Sequence, residues 1–411
     1  MASGRTSYPR NKIKILLLEN ISDAAVRELG AAGYHTVERI NGALSEDELA
    51  RAVKGVHLLG IRSKTRVTEK VIDSADKLLA IGAFCIGVNQ VDLKAATKRG
   101  IAVFNAPYSN TRSVAELIIG LSVMLIRKIA DKNAAAHRGE WQKDSAGSFE
   151  LRGKTLGIVG YGNIGSQVSG LAEAMGMQVL YYDVSTKLPL GNAKQVGDLK
   201  DLLRRSNIVT LHVPSDASTQ NLIDADAIKL MRKGSILINH SRGDVVDLHA
   251  VAKGLRSGKL AGAAIDVFPE EPERTGDPFE CELQNMPNVI LTPHIGGSTE
   301  EAQASIGLDV TTKLVKYLDF GTSEGSHTVP PVTLPPQLGT HRILHIHRNI
   351  PGVLGDINSK LSKRGINIVG QYLNTNPEIG YVILDVESKL SKEAFEILKG
   401  VKGTVRARLV Y

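Results

Sequence analysis

Short aliphatic runs alternate with amphipathic, helix-like stretches over the first three quarters of the chain, in two series. The strand-like runs of the first series are 14–18, 56–61, 78–84 and 101–105. Helix-like stretches at 23–32 and 68–74 lie between them, and a long helical stretch at 113–137 follows the series. The strand-like runs of the second series are 155–160, 178–183, 207–213, 235–239, 261–267 and 288–292. Because these runs are almost continuously apolar, we predict parallel strands buried on both faces and two doubly wound α/β domains.

The last quarter of the chain follows a different pattern. A helix is predicted over 298–319, and four of the chain's fifteen prolines then fall within 330–336, which is typical of a linker. The elements predicted beyond the linker are strands 342–347, 366–373, 380–387 and 404–410 and helices 352–364 and 392–398. This βαββαβ order predicts a small ferredoxin-like domain.

Length and composition exclude several classes of protein. A chain of 411 residues is too long for one core and suits two or three domains of roughly 100–200 residues. Its 42% hydrophobic and 23% charged residues are average for a soluble globular protein. No apolar run approaches the roughly 18 residues of a membrane-spanning helix, so we expect a cytoplasmic protein without a membrane partner. Cys85 and Cys281 are too few for a disulfide framework or a cysteine metal site, and no metal is expected.

The net charge of +7 comes from the two ends of the chain. Residues 1–12 hold three basic side chains and no acid, and 340–411 hold eleven basic against six acidic ones, so the rest is close to neutral. Aromatic residues make up only 4% and are not interleaved with basic ones. Because single-stranded nucleic acids are bound by basic grooves with stacking aromatic rings, we predict no nucleic-acid partner.

A dinucleotide site is predicted where the second series begins. The apolar run 156–159 leads directly into Gly160, Gly162 and Gly165 of a GxGxxG motif, and a helical pattern follows. The first glycine permits the tight turn, the second lets the backbone approach a pyrophosphate, and the third lets the helix pack closely on the strand. The next strand ends at Asp183, whose carboxylate suits ribose hydroxyls and repels a 2′-phosphate. The predicted cofactor is therefore NAD.

Four segments of the chain resemble the NAD-dependent D-isomer-specific 2-hydroxyacid dehydrogenases. They are 156–165, 236–247, 262–272 (GAAIDVFPEEP) and 291–297 (LTPHIGG). The resemblance covers nearly the whole chain and leaves 1–12 as a basic N-terminal extension. It implies a flavodoxin-like substrate-binding domain (13–110 and 297–328), an inserted Rossmann NAD-binding domain (111–296), a proline-rich linker (329–338) and a regulatory ACT domain (339–411).

The resemblance assigns Arg242, Glu271 and His294 to catalysis. His294 would take the C2 hydroxyl proton of a 2-hydroxy acid while hydride leaves for the nicotinamide. Glu271 would orient the imidazole and stabilise its charged form, and Arg242 would hold the substrate carboxylate. Glu270 stands beside Glu271, and only the family register chooses between them. The residues implied to bind the cofactor are Gly160, Gly162, Asn163, Ile164, Gly165, Asp183, His212, Pro214, Asp266 and His294.

The resemblance also names residues for the substrate. Those implied are Arg62, Ser63, Asn110, Arg242 and Gln303. The resemblance implies that Arg62 and Ser63 contact a phosphate, as expected in the branch of the family that oxidises 3-phosphoglycerate to 3-phosphohydroxypyruvate, the entry step of L-serine biosynthesis. One departure from the family pattern is His240, which stands where relatives usually carry a small residue.

Two alternative functions remain open. A relative that acts on glycerate, glyoxylate or lactate would share the catalytic residues, but C-terminal domains of this kind accompany the biosynthetic branch. A nonenzymatic, NAD-sensing protein of the corepressor kind would share the fold, and the presence of all three catalytic residues argues against it.

The ACT resemblance implies an effector site and an oligomer. Such domains commonly pair across their edges and bind an amino acid between subunits. His347, Asn349 and Asn367 would hold L-serine, with Asn367 contributed across the interface. The implied assembly is a homotetramer with contacts between ACT domains. Relatives carry paired glycines at the hinge, whereas here only Gly339 follows the prolines, which favours a stiffer hinge and weaker or less cooperative inhibition.

Overall fold

The computed structural model describes residues 9–272 and 276–410. Most of the predicted basic extension lies outside these residues, and the remainder forms a 3-10 helix at Arg10–Lys12. The chain divides into two compact units, one made of Met1–Ser109 with Gln303–Tyr411 and the other of Asn110–Ala302. No helix in the described part of the chain is long and apolar enough to span a bilayer.

The elements are numbered in chain order. The strands are β1 (Ile15–Leu17), β2 (Val37–Arg39), β3 (Leu58–Ile61), β4 (Ala80–Ala83), β5 (Ala102–Asn105), β6 (Thr155–Val159), β7 (Gln178–Tyr182), β8 (Lys194–Gln195), β9 (Ile208–Leu211), β10 (Ser235–Asn239), β11 (Leu260–Ile265), β12 (Val289–Leu291), β13 (Thr340–Arg348), β14 (Ile368–Thr375), β15 (Ile379–Glu387) and β16 (Thr404–Val410). The α-helices are α1 (Asp23–Ala31), α2 (Glu46–Ala52), α3 (Glu69–Ser74), α4 (Leu93–Lys98), α5 (Thr111–Ile126), α6 (Ile129–His137), α7 (Asn163–Ala174), α8 (Leu199–Arg205), α9 (Ala225–Leu230), α10 (Leu248–Arg256), α11 (Glu300–Phe320), α12 (Val353–Lys363) and α13 (Ser391–Lys399). Short 3-10 helices also form at Gly243–Val245 and Ser388–Leu390.

The first unit contains a five-stranded parallel sheet in the order β2-β1-β3-β4-β5. The four predicted strands are β1, β3, β4 and β5, and all their residues are buried. The sequence does not predict β2, because this three-residue strand carries the exposed Glu38 and Arg39 and pairs only with β1. Charged side chains on a short edge strand protect a sheet from further pairing.

The second unit contains a seven-stranded parallel sheet in the order β12-β11-β10-β9-β6-β7-β8. All six predicted strands are present, and β8 adds two exposed residues at one edge. The strand order runs outward from β6 in both directions. A crevice therefore opens at the carboxyl ends of β6 and β9, which is where doubly wound sheets bind their ligands.

The helical stretch predicted over 113–137 is divided in two. The helices α5 and α6 occupy it, and the chain turns between them at Lys128, whose φ is 53°. A left-handed lysine is uncommon, and no glycine or proline marks this break in the sequence. The boundary is therefore set by packing, because α5 has eight buried residues while α6 has only Ala135.

The C-terminal part of the first unit is an antiparallel sheet in the order β14-β15-β13-β16. With α12 and α13 it forms the predicted βαββαβ fold. Ile343, Ile357 and Leu398 pack in the core between this sheet and its helices. Leu344 and Tyr381 belong to a separate core cluster shared with the five-stranded sheet. The predicted architecture, two parallel α/β sheets and a small βαββαβ domain, is confirmed.

The proline-rich segment 329–338 is packed over part of its length. Val332 is only 2% exposed and belongs to the core of the first unit. Arg342 on β13 donates to the carbonyl of Pro335 at 2.9 Å and forms two hydrogen bonds with Asp385, at 2.8 and 2.7 Å. The segment is thus held against the small sheet by Arg342, whose side chain is fixed by the buried ion pair with Asp385.

Candidate active site

The glycine-rich loop connects β6 to α7. Gly160 has a φ of +92°, and a Cβ there would lie 2.5 Å from the carbonyl oxygen of His212. A Cβ on Gly165 would overlap the Gly160 carbonyl, whereas a Cβ on Gly162 would meet no atom within 4 Å. Gly160 and Gly165 are thus required by the turn and the helix packing, and the space beside Gly162 is open. That open space at the helix N-terminus, which includes Asn163 and Ile164, fits a pyrophosphate.

Asp183 directly follows β7, which pairs with β6. Its carboxylate accepts the backbone N–H groups of Tyr161 and Ser185, both at 2.9 Å. Burial raises the pKa of Asp183, but these hydrogen bonds outweigh burial and hold it below its usual value. An ionised carboxylate next to the glycine loop suits the ribose hydroxyls of NAD and disfavours the 2′-phosphate of NADP.

His212 and Pro214 follow β9, on the other side of β6. The backbone N–H of His212 donates to Val159 at 2.8 Å, and its Nε2 lies 3.0 Å from the hydroxyl of Thr210. Burial lowers the pKa of His212 to about 3, so this imidazole is neutral. The carbonyl of Pro214 accepts the hydroxyl of Thr219 at 2.8 Å, which fixes the turn at this end of the crevice.

The structure places Glu271 against His294. Nδ1 of His294 lies 2.8 Å from Oε2 of Glu271, and the other oxygen of Glu271 accepts the backbone N–H of Phe268 at 3.1 Å. The hydrogen bond to Glu271 raises the pKa of His294, although burial opposes it. Burial also raises the pKa of Glu271, but the bond to His294 outweighs it and keeps that pKa low. Nδ1 therefore carries a hydrogen, and Nε2 is the ring nitrogen that can exchange a proton with a ligand.

Arg242 follows β10 and lies near this pair. The guanidinium is close enough to the imidazole of His294 for its positive charge to lower the pKa of that group. Its Nη1 donates to the carbonyl of Ser241 at 2.6 Å, and Asn239 donates to the Arg242 carbonyl at 2.9 Å. The next residue must be glycine, because a Cβ on Gly243 would overlap the backbone of Phe268.

Asp266, at the end of β11, organises the loop that carries His294. Its Oδ1 accepts the hydroxyl of Thr292 at 2.6 Å and the N–H of Ile295 at 2.8 Å, and its Oδ2 accepts the N–H of Gly296 at 2.8 Å. Burial raises the pKa of Asp266, but the contact with His240 and these donors outweigh burial and lower it to about 2. Asp266 is therefore a fixed negative charge below the loop.

The unusual His240 lies against Asp266. Its side chain is 0% exposed, and its Nδ1 is 3.3 Å from Oδ2 of Asp266. Neither ring nitrogen has a well-aligned hydrogen bond within the described residues. A Cβ on Gly296 would come within 3.2 Å of this ring, so the histidine packs closely against the loop that follows His294. Sequence reasoning identified the departure at this position but not its contact with Asp266.

Two of the residues implied for the substrate follow β3 in the first unit. The backbone N–H of Arg62 donates to Glu19 at 3.0 Å, and Glu19 also accepts the N–H groups of Lys64 and Thr65 at 3.0 and 2.9 Å. Glu19 is 8% exposed with a φ of 58°, and it holds the loop that presents Arg62 and Ser63. Sequence reasoning missed it, although an acid placed directly after the apolar run 15–18 was the available signal.

The remaining substrate candidates are divided between the units. Gln303 is on α11 in the first unit, whereas Asn110 precedes α5 in the second and makes no side-chain capping hydrogen bond. The side-chain amide of Asn110 packs so closely on Gly297 that a Cβ there would overlap it. Its Oδ1 is buried without a hydrogen-bond partner among the described residues, so this acceptor remains available.

The effector candidates lie on the small sheet. His347 is 3% exposed and stacks on His345, with ring centroids 5.4 Å apart. Asn349 is exposed and donates to the carbonyl of Asn376 at 2.8 Å. Asn367 is exposed and precedes β14. The structure brings His347 and Asn349 to one end of the sheet and leaves Asn367 elsewhere.

Comparison with known proteins agrees with this geometry. Residues 119–296 match the family model described as "D-isomer specific 2-hydroxyacid dehydrogenase, NAD binding domain". The chain is 53% identical over 409 residues to D-3-phosphoglycerate dehydrogenase of Escherichia coli (strain K12), a match that covers 99% of this chain and 100% of that protein. The chain belongs to the D-isomer-specific 2-hydroxyacid dehydrogenases. As in that family, NAD is the cofactor, and the glycine loop and Asp183 fit it.

Other dehydrogenases are also similar to this chain, in sequence or in fold. D-3-phosphoglycerate dehydrogenase of Dictyostelium discoideum is 54% identical, with 99% of each chain covered. The crystal structure of D-lactate dehydrogenase from Aquifex aeolicus, complexed with NAD and lactic acid, superposes with a TM-score of 0.64 and 26% identity over 74% of this chain and 95% of that one. Residues 343–406 match the model "AHAS small subunit-like ACT domain". The enzyme class and the ACT-like domain are thereby confirmed.

Proposed function

We propose that this chain is a D-3-phosphoglycerate dehydrogenase, which oxidises 3-phosphoglycerate to 3-phosphohydroxypyruvate with NAD in the first step of L-serine biosynthesis, in the cytoplasm. The observation that carries the proposal is the His294–Glu271 pair near Arg242, in a chain similar over its full length to enzymes of that name. The predicted domain limits, from the substrate-binding domain at 13–110 and 297–328 to the ACT domain at 339–411, belong to the same proposal.

The roles of the catalytic residues follow from their chemistry. His294 accepts the C2 hydroxyl proton at Nε2 while the C2–O single bond becomes a carbonyl. NAD supplies the hydride acceptor when it is bound. Glu271 stabilises the imidazolium that forms, since its carboxylate is held ionised at 2.8 Å from Nδ1. Arg242 binds the substrate carboxylate and polarises the C2 oxygen, which keeps the hydroxyl aligned with His294.

Arg62 and Ser63 would select the phosphorylated substrate. A guanidinium and a hydroxyl on a loop fixed by Glu19 present donors that match phosphate oxygens. Gln303 and Asn110 would supply further polar contacts. A dehydrogenase that acts on glycerate, glyoxylate or lactate would gain nothing from a phosphate site. A preference for the phosphorylated substrate therefore distinguishes a phosphoglycerate dehydrogenase from such an enzyme.

The ACT-like domain suggests an amino-acid effector, and we propose L-serine. In the register of the small sheet His347 lies opposite Gly380, at the start of β15, while Ile368 lies opposite Val386, near its end. At about 3.4 Å per residue these positions are roughly 20 Å apart. One chain therefore cannot bring Asn367 to His347 and Asn349. A site that uses all three requires a second copy, which supports a homo-oligomer, proposed to be a tetramer with ACT–ACT contacts.

A steady-state assay tests the proposed activity. Purified protein is given NADH with phosphohydroxypyruvate or with hydroxypyruvate, with and without L-serine. We expect kcat/KM to be higher for the phosphorylated substrate by about tenfold or more, because charge-assisted hydrogen bonds to the phosphate are lost with hydroxypyruvate. His294→Asn should cut kcat about 100-fold or more and leave NADH binding nearly unchanged.

The outcomes distinguish the alternatives. Equal use of hydroxypyruvate would indicate a dehydrogenase of unphosphorylated hydroxy acids. NADH binding without turnover of either substrate would indicate a nonenzymatic NAD sensor. Wild-type turnover by His294→Asn would refute the catalytic assignment whatever the substrate.

A further inference from the structure

A cleft of about 410 Å³ lies in the first unit, and none of the residues assigned to substrate, cofactor or serine lines it. Its walls come from the region around β3 and β4, which includes His57 and Lys77, and from β16, which contributes Arg406 and Arg408. Its volume falls within the range of about 300–1,000 Å³ that is usual for pockets binding small organic molecules.

The two arginines point towards the interior of the unit. They alternate along β16, so their side chains leave the same face of the strand. That face is set by the pairing with β13, where Arg406 lies opposite Ile346 and Arg408 opposite Leu344. Ile346 and Leu344 belong to the core shared with the five-stranded sheet. Both guanidiniums are consequently half-buried in the cleft.

Neither guanidinium has a carboxylate partner among the described residues. Arg406 donates to the carbonyl of Leu78 at 2.5 Å, and Arg408 donates to the carbonyl of Tyr317 at 2.9 Å and lies over its ring. No ion pair to either arginine is formed in the described part of the chain, unlike the buried Arg342–Asp385 pair of the same sheet. Half-buried cations of this kind usually face an anion.

The nearby acids are already engaged elsewhere. Asp76, the acid in the lining, accepts the N–H of Gly55 at 2.7 Å. Asp319 accepts the guanidinium of Arg10 at 2.8 Å and the hydroxyl of Tyr34 at 2.5 Å. With Lys77 added, the cleft has more positive than negative charge. Burial lowers the pKa of Arg406, so an anion beside it would offset the cost of its desolvation.

The rest of the cleft is apolar. Leu79, Leu318 and Phe395 line it beside the arginines. We propose that this cleft binds a small organic anion, a carboxylate or phosphate group carried on an apolar, ring-sized body, with Arg406 and Arg408 as the anion-binding groups. Because the lining joins the small sheet to the region of β3 and β4, the ligand links these two parts of the unit at a place separate from the proposed serine site.

Calorimetric titration of the full-length protein tests the site with defined probes. The probes are phenyl phosphate, benzoate, inorganic phosphate and, as an uncharged control, benzamide. We expect saturable binding of phenyl phosphate or benzoate with one site per chain and no binding of benzamide. Comparison of phenyl phosphate with inorganic phosphate shows whether the apolar wall contributes to binding.

Variants locate the binding. The double variant Arg406→Gln/Arg408→Gln should weaken probe binding by about tenfold or more, because both substitutions remove charge-assisted hydrogen bonds to the anion. If the double variant does not fold, the single variants Arg408→Gln and Lys77→Gln still test the site. Because Lys77 is exposed, Lys77→Gln should weaken probe binding by only about threefold. Arg364→Gln, which removes an exposed guanidinium of the same domain outside the cleft, should change nothing.

Several results would overturn the proposal. The first is that no anionic probe binds saturably. The second is that benzamide binds as tightly as the anionic probes. The third is that folded Arg408→Gln and Lys77→Gln both bind the probes with wild-type affinity. Because a phosphate probe can also occupy the proposed substrate site, Arg62→Ala is titrated in parallel. Binding lost in Arg62→Ala but retained in the arginine variants of β16 would assign the probe to the substrate site. None of these readouts depends on the proposed catalytic activity.

Discussion

Replacing Glu271 by Gln isolates the charge that acts on His294. The change keeps the shape of the side chain and removes the negative charge 2.8 Å from Nδ1. A hydrogen bond to a charged group contributes about 1.5–3 kcal/mol. The two side chains are 54% and 35% exposed, so solvent screening reduces this to about 1–2 kcal/mol. If the charge acts mainly on the imidazolium that forms during oxidation, kcat should fall by about 5- to 30-fold.

The pH dependence gives a second readout with a defined sign. Oxidation needs neutral His294, so kcat/KM rises as pH rises through the pKa of this group. Glu271 raises that pKa, so its neutralisation should move the rising limb to lower pH. Initial rates of 3-phosphoglycerate oxidation, measured across pH for wild type and Glu271→Gln, report both effects.

Glu270→Gln is the matched control, since it removes a neighbouring exposed carboxylate that makes no contact with His294 in the described structure. It should leave kcat and the pH profile unchanged. The reasoning would be refuted if Glu271→Gln kept the wild-type kcat and the wild-type position of the rising limb. It would also be refuted if Glu270→Gln changed kcat and the pH profile as much as Glu271→Gln does.

Four further changes test other parts of the molecule. Asp183→Ala should raise KM for NADH and shift the NADPH-to-NADH preference by about tenfold or more, and steady-state kinetics with both cofactors would show an unchanged ratio if Asp183 is not at the ribose. Arg62→Ala should raise KM for phosphohydroxypyruvate by about tenfold while affecting hydroxypyruvate less, and equal effects would mean a structural arginine. His240→Ala should lower the free energy of unfolding by about 1–3 kcal/mol because it empties a fully buried site, and denaturant titration with an unchanged midpoint would contradict this. Asn349→Ala combined with Asn367→Ala should abolish serine binding in calorimetry, and retained binding would remove the site as proposed.

The cofactor loop was predictable because its requirements are local. A strand, three spaced glycines and a helix are contiguous. Close backbone contacts require Gly160 and Gly165, and the space beside Gly162 stays open, as the motif implies. The choice between Glu270 and Glu271 was different. Only the folded loop, with the left-handed His294 and the N–H of Phe268, brings one carboxylate to the imidazole. A pair 23 residues apart along the chain is set by loop geometry, which periodicity does not encode.

By itself, the sequence determined the buried strands of the two parallel sheets, the small C-terminal βαββαβ domain and the NAD loop, but not the short exposed edge strands β2 and β8. These depend on hydrophobic periodicity and glycine placement, which act over a few neighbouring residues. Only the tertiary structure decided the break at Lys128, the role of Glu19 beneath the Arg62 loop and the contact of His240 with Asp266. Each of these depends on which groups meet after strands distant in the chain are aligned. Buried polar groups must find partners wherever the fold brings them, and short sequence patterns do not specify those partners.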